Sequence, residues 1–451
     1  MAAVLLIGIG LFIWLQVTVP PLERVGVPEV ALPWVISRTL DIEEAAARAS
    51  PWERFVYRVT SQTPGDELDQ AIRWYRELAA TTENPDIQLQ LGILEGERGG
   101  LEGIRRQVEQ LRPTEASCPS CADMLEAAYI RPEVDRVAAR TLLANVAETV
   151  PAGWFYDRIA MRLAANAGDE DLLQSIDRSR SDRIGGVLGK VRVLTAAEGT
   201  AVALGFLALA AMARDRRRVS TAPIPPPWPY RAGLVVLIRG GGMAVLLSVA
   251  MLLVNNDDPI VRLWSVPLIS LPVFVLAHRH LLRPNGYGLV TGLGLRPFPD
   301  AWPRTWLAIL AVLAIGTSGE WIIGFVAESF DLASHWTEWF DPDLVWGGPE
   351  ALTITLIEFV VIAPVVEEAV FRGLLFGTLR RRFGWVAAAT ISGGLFAAAH
   401  GYGVVGFASV FLSGFIWAWV YERTGSLLPG MAAHALNNIM VCVSTLSLLR
   451  L

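Results

Sequence analysis

The stretch VVIAPVVEEAVFRGLLFGTLRRR, residues 360–382, places two adjacent glutamates and an arginine inside a long apolar run. Ionisable side chains are expensive inside a lipid bilayer, so they normally face a cavity or one another. Glu368 and Arg372 are four residues apart and share a helix face, with the acid preceding the base. Glu367 is rotated by about 100° from Glu368 and has no basic neighbour on its own face. The stretch therefore predicts a buried Glu368–Arg372 ion pair beside a separately placed carboxylate.

The composition is that of a polytopic membrane protein. Of 451 residues, 53% are hydrophobic, only 18% are charged, and 16 are tryptophans. The formal net charge of -6 lacks the basic footprint of a nucleic-acid-binding protein. We therefore expect an all-α protein whose surroundings are the lipid bilayer of a cell membrane, with no nucleic acid partner.

Nine apolar segments are candidates for membrane-spanning helices. They are residues 2–19, 194–213, 232–254, 260–277, 303–327, 352–378, 385–400, 404–421 and 428–448. No basic residue precedes the first segment and no cleavage motif follows it, so we expect an uncleaved anchor at residues 1–20. Arginine clusters at 214–218, 278–283 and 380–382 belong in the cytoplasm by the positive-inside rule. The predicted topology has a cytoplasmic N-terminus and exterior loops at 255–259 and 331–350.

Residues 21–192 have a different character, being charged and patterned as helices. The stretch at 65–82 brings five large apolar side chains near one face of an amphipathic helix: Leu68, Ile72, Trp74, Tyr75 and Leu78. Similar stretches recur at 86–111, 120–130, 133–149 and 154–177. We predict an extracytoplasmic all-α soluble domain without a catalytic constellation, suited to docking or regulation. Residues 193–299 are assigned to membrane helices and a cytoplasmic linker, and 300–451 to a separate transmembrane domain.

The three cysteines are too few for a disulfide framework. Cys118 and Cys121 form a C-x-x-C motif, and Cys442 stands alone in an apolar segment. A zinc site needs about four ligands and no second pair exists, while a redox motif of this kind belongs in a βαβ unit. We favour a local disulfide or inert thiols over a catalytic pair. An oxidising exterior favours the disulfide.

Two further motifs follow the glutamates in the next apolar segments. Phe396 and His400 are four residues apart, and so are His434 and Asn438. A single such residue is more often glue between membrane helices than part of a site. Because three motifs stand in three successive segments, we favour one shared site within the membrane interior.

These motifs resemble those of the CAAX prenyl protease and bacteriocin-processing family of intramembrane endopeptidases. The family patterns EExxxR, FxxxH and HxxxN stand here as Glu367–Arg372, Phe396–His400 and His434–Asn438, and the resemblance extends over roughly residues 300–450. It implies hydrolysis of a peptide bond in a membrane-associated peptide or protein. By analogy Glu367 and His400 activate water, and His434 and Asn438 stabilise the oxyanion. Glu368, Arg372 and Phe396 support the site.

The resemblance leaves the cofactor open. A set of Glu367, His400 and His434 with an open position is a plausible zinc environment. Against zinc, no H-E-x-x-H pair places two ligands on one helix, and an amide such as that of Asn438 is a good hydrogen-bond donor but a poor zinc ligand. We prefer no metal, with zinc as the alternative.

Two other functions remain as alternatives. The first is a non-catalytic membrane scaffold, or a bacteriocin-immunity-type protein, that has the family fold. The second is a transporter with Glu320, Glu358 and Glu367 as a proton relay, since all three are intramembrane acids. Intact motif residues favour the enzyme.

Overall fold

The computed structural model describes residues 1–60, 67–112, 118, 120–214, 228–253, 259–295 and 302–450. The structure is 85% helical, and the described residues contain no β-strand. Six of the described helices are long and apolar enough to cross a membrane. The predicted fold class, an all-α polytopic membrane protein, is confirmed. The arginines at 216–218 and most of the predicted exterior loop at 255–259 lie outside the described residues.

The chain forms two compact units. One comprises Met1–Pro20 with Ala196–Leu451, and the other comprises Pro21–Thr195. Helix α1 (Ala2–Thr18) belongs to the first unit, which we call the membrane unit. Residues 193–299 and 300–451, which the sequence analysis separates, lie almost entirely in this one unit.

The second unit, Pro21–Thr195, is built from short amphipathic helices. Its helices are α2 (Pro28–Arg48), α3 (Pro51–Thr60), α4 (Glu67–Ala79), α5 (Pro85–Glu97), α6 (Leu101–Leu111), α7 (Cys121–Leu125), α8 (Arg136–Thr149), α9 (Trp154–Asn166) and the first part of α10 (Glu170–Arg214). Four of the five side chains on the predicted face of α4 are buried, and Leu68 is half-buried. The predicted stretch 86–111 is two helices, because Gly99 has a left-handed φ of 85° between them.

This unit contains a buried cluster of charged side chains and a short-range disulfide. Arg183 bonds Asp41 through Nε at 2.9 Å and Asp157 through Nη2 at 2.5 Å, and both carboxylates are almost inaccessible. Removing one partner of such a group is costly because a buried charge stays unpaired. Cys118 and Cys121 are joined in a disulfide with Cα atoms 5.6 Å apart, at the start of α7. Cys442 is free and buried in the membrane unit.

The membrane unit contains longer helices and several π-helical turns. After α10 come α11 (Tyr230–Met251), α12 (Pro259–Ala277), α13 (Leu289–Gly292), α14 (Trp302–Ser329), α15 (Pro342–Val345), α16 (Pro349–Ile357), α17 (Ala363–Glu368), α18 (Gly377–His400), α19 (Val404–Thr424) and α20 (Leu428–Leu448). Helices α11 and α12 pack closely, since a Cβ added at Gly240 would lie 2.7 Å from Val273. Small residues permit such approach between membrane helices.

The predicted span 352–378 is not one uniform helix. Two π-helical segments, Glu358–Ile362 and Ala369–Phe376, flank α17. Pro364 accounts for the first, because proline lacks an N–H and its ring crowds the preceding turn. Helix α18 bends at Gly384, whose φ of 76° is left-handed, directly before the predicted span at 385–400. These interruptions, with the 380–382 arginines, leave this region outside the six uniform spans.

Candidate active site

The Glu368–Arg372 ion pair lies in the interior of the membrane unit, as predicted. Arg372 Nη1 is 2.8 Å from Glu368 Oε1, and the two side chains are 0% and 1% exposed. Arg372 Nε also donates to the backbone carbonyl of Gly414 on α19, at 3.4 Å. The pair therefore links the π-helical segment after α17 to α19 as well as neutralising itself.

Aromatic rings complete the surroundings of Arg372. Its guanidinium carbon lies 4.1 Å from the ring centroid of Phe396 and 5.1 Å from that of Trp417. Its Nη2 is buried and has no hydrogen-bond partner among the described residues, so these ring faces supply a cation–π environment in place of an acceptor. A Cβ at Gly414 would lie 2.7 Å from Nη2. Glycine at this position gives the guanidinium its space.

His434 lies between the two glutamates. Its Nδ1 is 3.3 Å from Glu368 Oε1, and its Nε2 is 3.9 Å from Glu367 Oε2. The imidazole stacks on Trp417, with ring centroids 4.2 Å apart and an interplanar angle of 19°. Glu368 thus contacts two functional groups, Arg372 and His434. Sequence reasoning missed Trp417, because no motif or helical spacing distinguishes it from the other tryptophans.

The two glutamates have different surroundings. The side chain of Glu367 is 29% exposed, whereas that of Glu368 is 1% exposed. Among the described residues, the 3.9 Å contact to His434 is the only ion pair of Glu367. A carboxylate placed in this way is accessible to water and has acceptor sites to spare.

His400 is the last residue of α18, where Gly401 ends the helix with a φ of 66°. Its Nδ1 lies 2.8 Å from the carbonyl oxygen of Phe396. Because a carbonyl only accepts, Nδ1 carries the proton and Nε2 has the free lone pair of the neutral ring. The Phe396 ring contacts His400 edge-on at 4.7 Å. Both His400 and Glu367 are described in the structure, and no hydrogen bond or ion pair joins them.

Asn438 contacts the backbone of the neighbouring segment. Its Nδ2 donates to the carbonyl oxygen of Phe359 at 2.8 Å. The N–H of Ala363 donates to the carbonyl of Glu358, five residues earlier. In the same π-helical pattern the carbonyl of Phe359 would accept from residue 364, but Pro364 has no N–H. Asn438 therefore satisfies a carbonyl that Pro364 leaves without a partner, as neighbouring helices do in membranes. One N–H of its amide remains for another acceptor.

The zinc alternative finds no support in this arrangement. Among the described residues, no group of three or more His, Cys, Asp or Glu side chains is placed so that it could hold a metal ion. His434 lies 3.9 Å from Glu367. His400 contacts the ring of Phe396, and that ring in turn contacts His434. The three residues proposed as zinc ligands are thus not grouped in the described structure so that they could hold a metal ion together.

Part of the chain matches a known protein family. Residues 349–440 match the family model described as type II CAAX prenyl endopeptidase Rce1-like. We call this matched segment the Rce1-like domain. It contains all seven predicted site residues but is shorter than the predicted range of about 300–450, since α14 lies outside it.

A curated relative matches a similar length of chain. An uncharacterized 24.3 kDa protein of Escherichia coli is 34% identical over 85 residues. The match spans 18% of this chain and 39% of the relative. No solved structure matches the chain.

The ion pair of the Rce1-like domain predicts unequal effects of single and double substitutions. Glu368→Gln leaves Arg372 as an unpaired buried charge, so we expect a loss of about 3–5 kcal/mol in unfolding free energy. The double variant Glu368→Gln/Arg372→Met removes both charges and should recover most of that loss. Unfolding of the full chain in detergent, followed by protease susceptibility, measures both. Equal stability of the two variants would contradict a buried, mutually dependent pair.

The Asn438 contact predicts a coupling with Pro364. Asn438→Leu should lower the unfolding free energy by about 1 kcal/mol, because the Phe359 carbonyl is left unsatisfied. In a Pro364→Ala background the new N–H can reach that carbonyl, so the cost of Asn438→Leu should shrink. Asn437→Leu, a neighbour for which no hydrogen bond is seen in the described structure, is the matched control. Additive effects of the two substitutions would contradict this coupling.

Proposed function

We propose that the Rce1-like domain is an intramembrane endopeptidase that hydrolyses a peptide bond of a membrane-associated peptide or protein. The observation that carries this proposal is the convergence of two unlike glutamates on His434, inside a segment that matches a prenyl endopeptidase family. Glu368 is buried against a cation, and Glu367 is accessible. Such a division of roles between neighbouring acids is what general base catalysis needs.

Glu367 is the proposed general base. Water enters beside its exposed carboxylate and gives up a proton to it while the water oxygen attacks the carbonyl carbon. His400 orients the same water, because its free Nε2 accepts a hydrogen bond from the second O–H of the water. The C–N bond then breaks, and Glu367 returns its proton to the leaving amine. Glu367 and His400 are not bonded to each other in the described structure, and the proposal places the water between them; catalytic contacts of this kind often tighten only when substrate is bound.

The proposed oxyanion donors are Asn438 and His434. Asn438 has one amide hydrogen left after its bond to Phe359, and a donor of this kind is worth several kcal/mol at a developing oxyanion. His434 already donates through Nδ1 to Glu368. Donation from its Nε2 therefore requires the doubly protonated ring, with Glu367 and Glu368 on either side of the positive charge.

Trp417 and Glu368 act as positioning residues in this proposal. The Trp417 ring fixes the plane of the His434 imidazole, and the Glu368 carboxylate fixes the direction of its Nδ1. Phe396 lies between Arg372, His400 and His434 and keeps them at fixed separations. A shift of about 1 Å in such groups is enough to reduce catalysis strongly.

The orientation of the chain is also a proposal. The arginine clusters support a cytoplasmic N-terminus, an extracytoplasmic domain at residues 21–192 and nine spans, with α16–α18 crossing despite their π-helical turns and bend. The substrate class follows the family resemblance. Whether the substrate is prenylated depends on the membrane in which the protein works.

The general base assignment predicts that Glu367→Gln and His400→Ala each reduce cleavage by at least about 100-fold, since each removes a group that acts on the attacking water. The measurement is proteomics of membrane fractions, in which peptide termini that appear with the unaltered protein and not with the variants mark cleavage. Glu320→Gln is the matched control, because Glu320 is an intramembrane acid outside the Rce1-like domain.

Expression and unfolding of these variants should match the unaltered protein. Full cleavage by both Glu367→Gln and His400→Ala would sink the water-activation assignment. Loss of function in Glu320→Gln, together with pH-coupled flux, would instead favour a proton relay.

A metal-free mechanism predicts that cleavage survives chelation. Activity of purified protein in detergent should be unchanged after treatment with 1,10-phenanthroline, because Glu367 itself removes the proton from water. A zinc protease treated in parallel shows that the chelator is effective. Loss of activity that added zinc restores would show that the metal alternative is correct.

A further inference from the structure

A cavity of about 390 Å³ lies between α11 and α12, outside the Rce1-like domain. Its walls include Arg231 and Arg239 from α11 and His280 from the π-helical turn that follows α12. Apolar side chains, among them Val235 and Leu276, form the rest of the lining. The cavity lies where α11 begins and α12 ends, so one end of this helix pair is polar.

The three polar side chains of this cavity face no counter-charge in the part of the chain that the structure describes. Arg231, Arg239 and His280 make no hydrogen bond or ion pair with any described residue, and no acid is among the residues that line the cavity. Two other arginines of the membrane unit that lie near acids are paired, Arg262 with Asp343 and Arg380 with Glu422. All three side chains of the cavity are exposed, and Arg231 and His280 lie at the ends of their helices, whereas Arg239 lies within the apolar span, where an unpaired cation is costly unless an anion meets it.

Arg239 lies deeper along its helix than Arg231. It lies nine residues after the first residue of α11, so about 13 Å along a helix that is apolar enough to cross the membrane. Arg231, Val235 and Arg239 follow one another at intervals of four residues and form one stripe. A long arginine side chain at this depth extends toward the nearer polar surface, which brings the guanidinium of Arg239 toward Arg231.

We propose that this cavity binds the phosphate headgroup of an anionic phospholipid. Arg231, Arg239 and His280 supply hydrogen-bond donors to phosphate oxygens. Val235, which is 45% exposed, and Leu276 provide an apolar surface for the adjoining acyl chain. Basic pockets between membrane helices recognise anionic lipid headgroups by this combination. A free phosphate ion satisfies only the polar half of the cavity, and so the lipid is the better match.

Native mass spectrometry of the delipidated full chain in neutral detergent tests this proposal. We expect one phosphatidylglycerol to bind per chain, more tightly than phosphatidylcholine, and inorganic phosphate to compete weakly. Arg231→Gln and Arg239→Gln should each weaken phosphatidylglycerol binding by about fivefold, the effect of one basic group near an anionic lipid. Arg239→Lys keeps the charge and should retain most of the binding.

The matched control is Arg279→Gln. Arg279 directly precedes His280 and loses the same charge, but it does not line the cavity. Binding by this variant should equal that of the unaltered chain, and the unfolding temperature of every variant should be unchanged. Equal loss in Arg279→Gln would mean a general effect of surface charge and would overturn the site. Unchanged binding in both Arg231→Gln and Arg239→Gln, or competition by phosphate as strong as by lipid, would overturn it as well.

Discussion

A pair of opposite charges in a membrane interior constrains everything around it. Glu368 and Arg372 are both inaccessible, and neither charge is tolerable there without the other. Other helices supply further contacts to the pair: the carbonyl of Gly414 on α19, the rings of Phe396 and Trp417, and His434 on α20. Glu368 Oε2 and Arg372 Nη2 are buried and have no hydrogen-bond partner among the described residues. The requirement to satisfy one ion pair thus fixes how the last helices of the membrane unit pack.

The backbone imposes a second constraint of the same kind. A π-helical turn or a proline frees a carbonyl group, and in a bilayer that carbonyl must find a donor within the protein. Asn438 supplies it for Phe359, and Ser392 Oγ donates to the carbonyl of Phe371 at 2.8 Å. Irregular backbone near the glutamates is therefore matched by polar side chains of neighbouring helices. One N–H of the Asn438 amide therefore has a structural role, the bond to the Phe359 carbonyl. The second N–H is available to donate to an oxyanion.

Residue spacing in the sequence predicted the contacts and buried faces that arise within a single helix. The Glu368–Arg372 pair follows from the four-residue interval, and the buried face of α4 follows from helical periodicity. Contacts between helices were not predictable in this way. Trp417 has no motif partner, and the bond from Asn438 to Phe359 joins residues 79 apart. Hydropathy also does not register the π-helical turns within the predicted span 352–378 or the bend at Gly384 that precedes the next predicted span.

The difference between Glu367 and Glu368 is a consequence of helix geometry rather than of chemistry. Two identical side chains, one residue apart, point about 100° away from each other. One direction leads to Arg372 and His434 in the protein interior, where an oxygen of Glu368 is already shared by both. The other leads to a partly open space, where Glu367 retains accessible oxygen atoms and a single contact at 3.9 Å. A base must be able to receive a proton from water, and a carboxylate that is buried away from water and paired with a cation is poorly placed to do so. The surroundings of the two glutamates thus favour Glu367 as the base and leave Glu368 to hold the histidine.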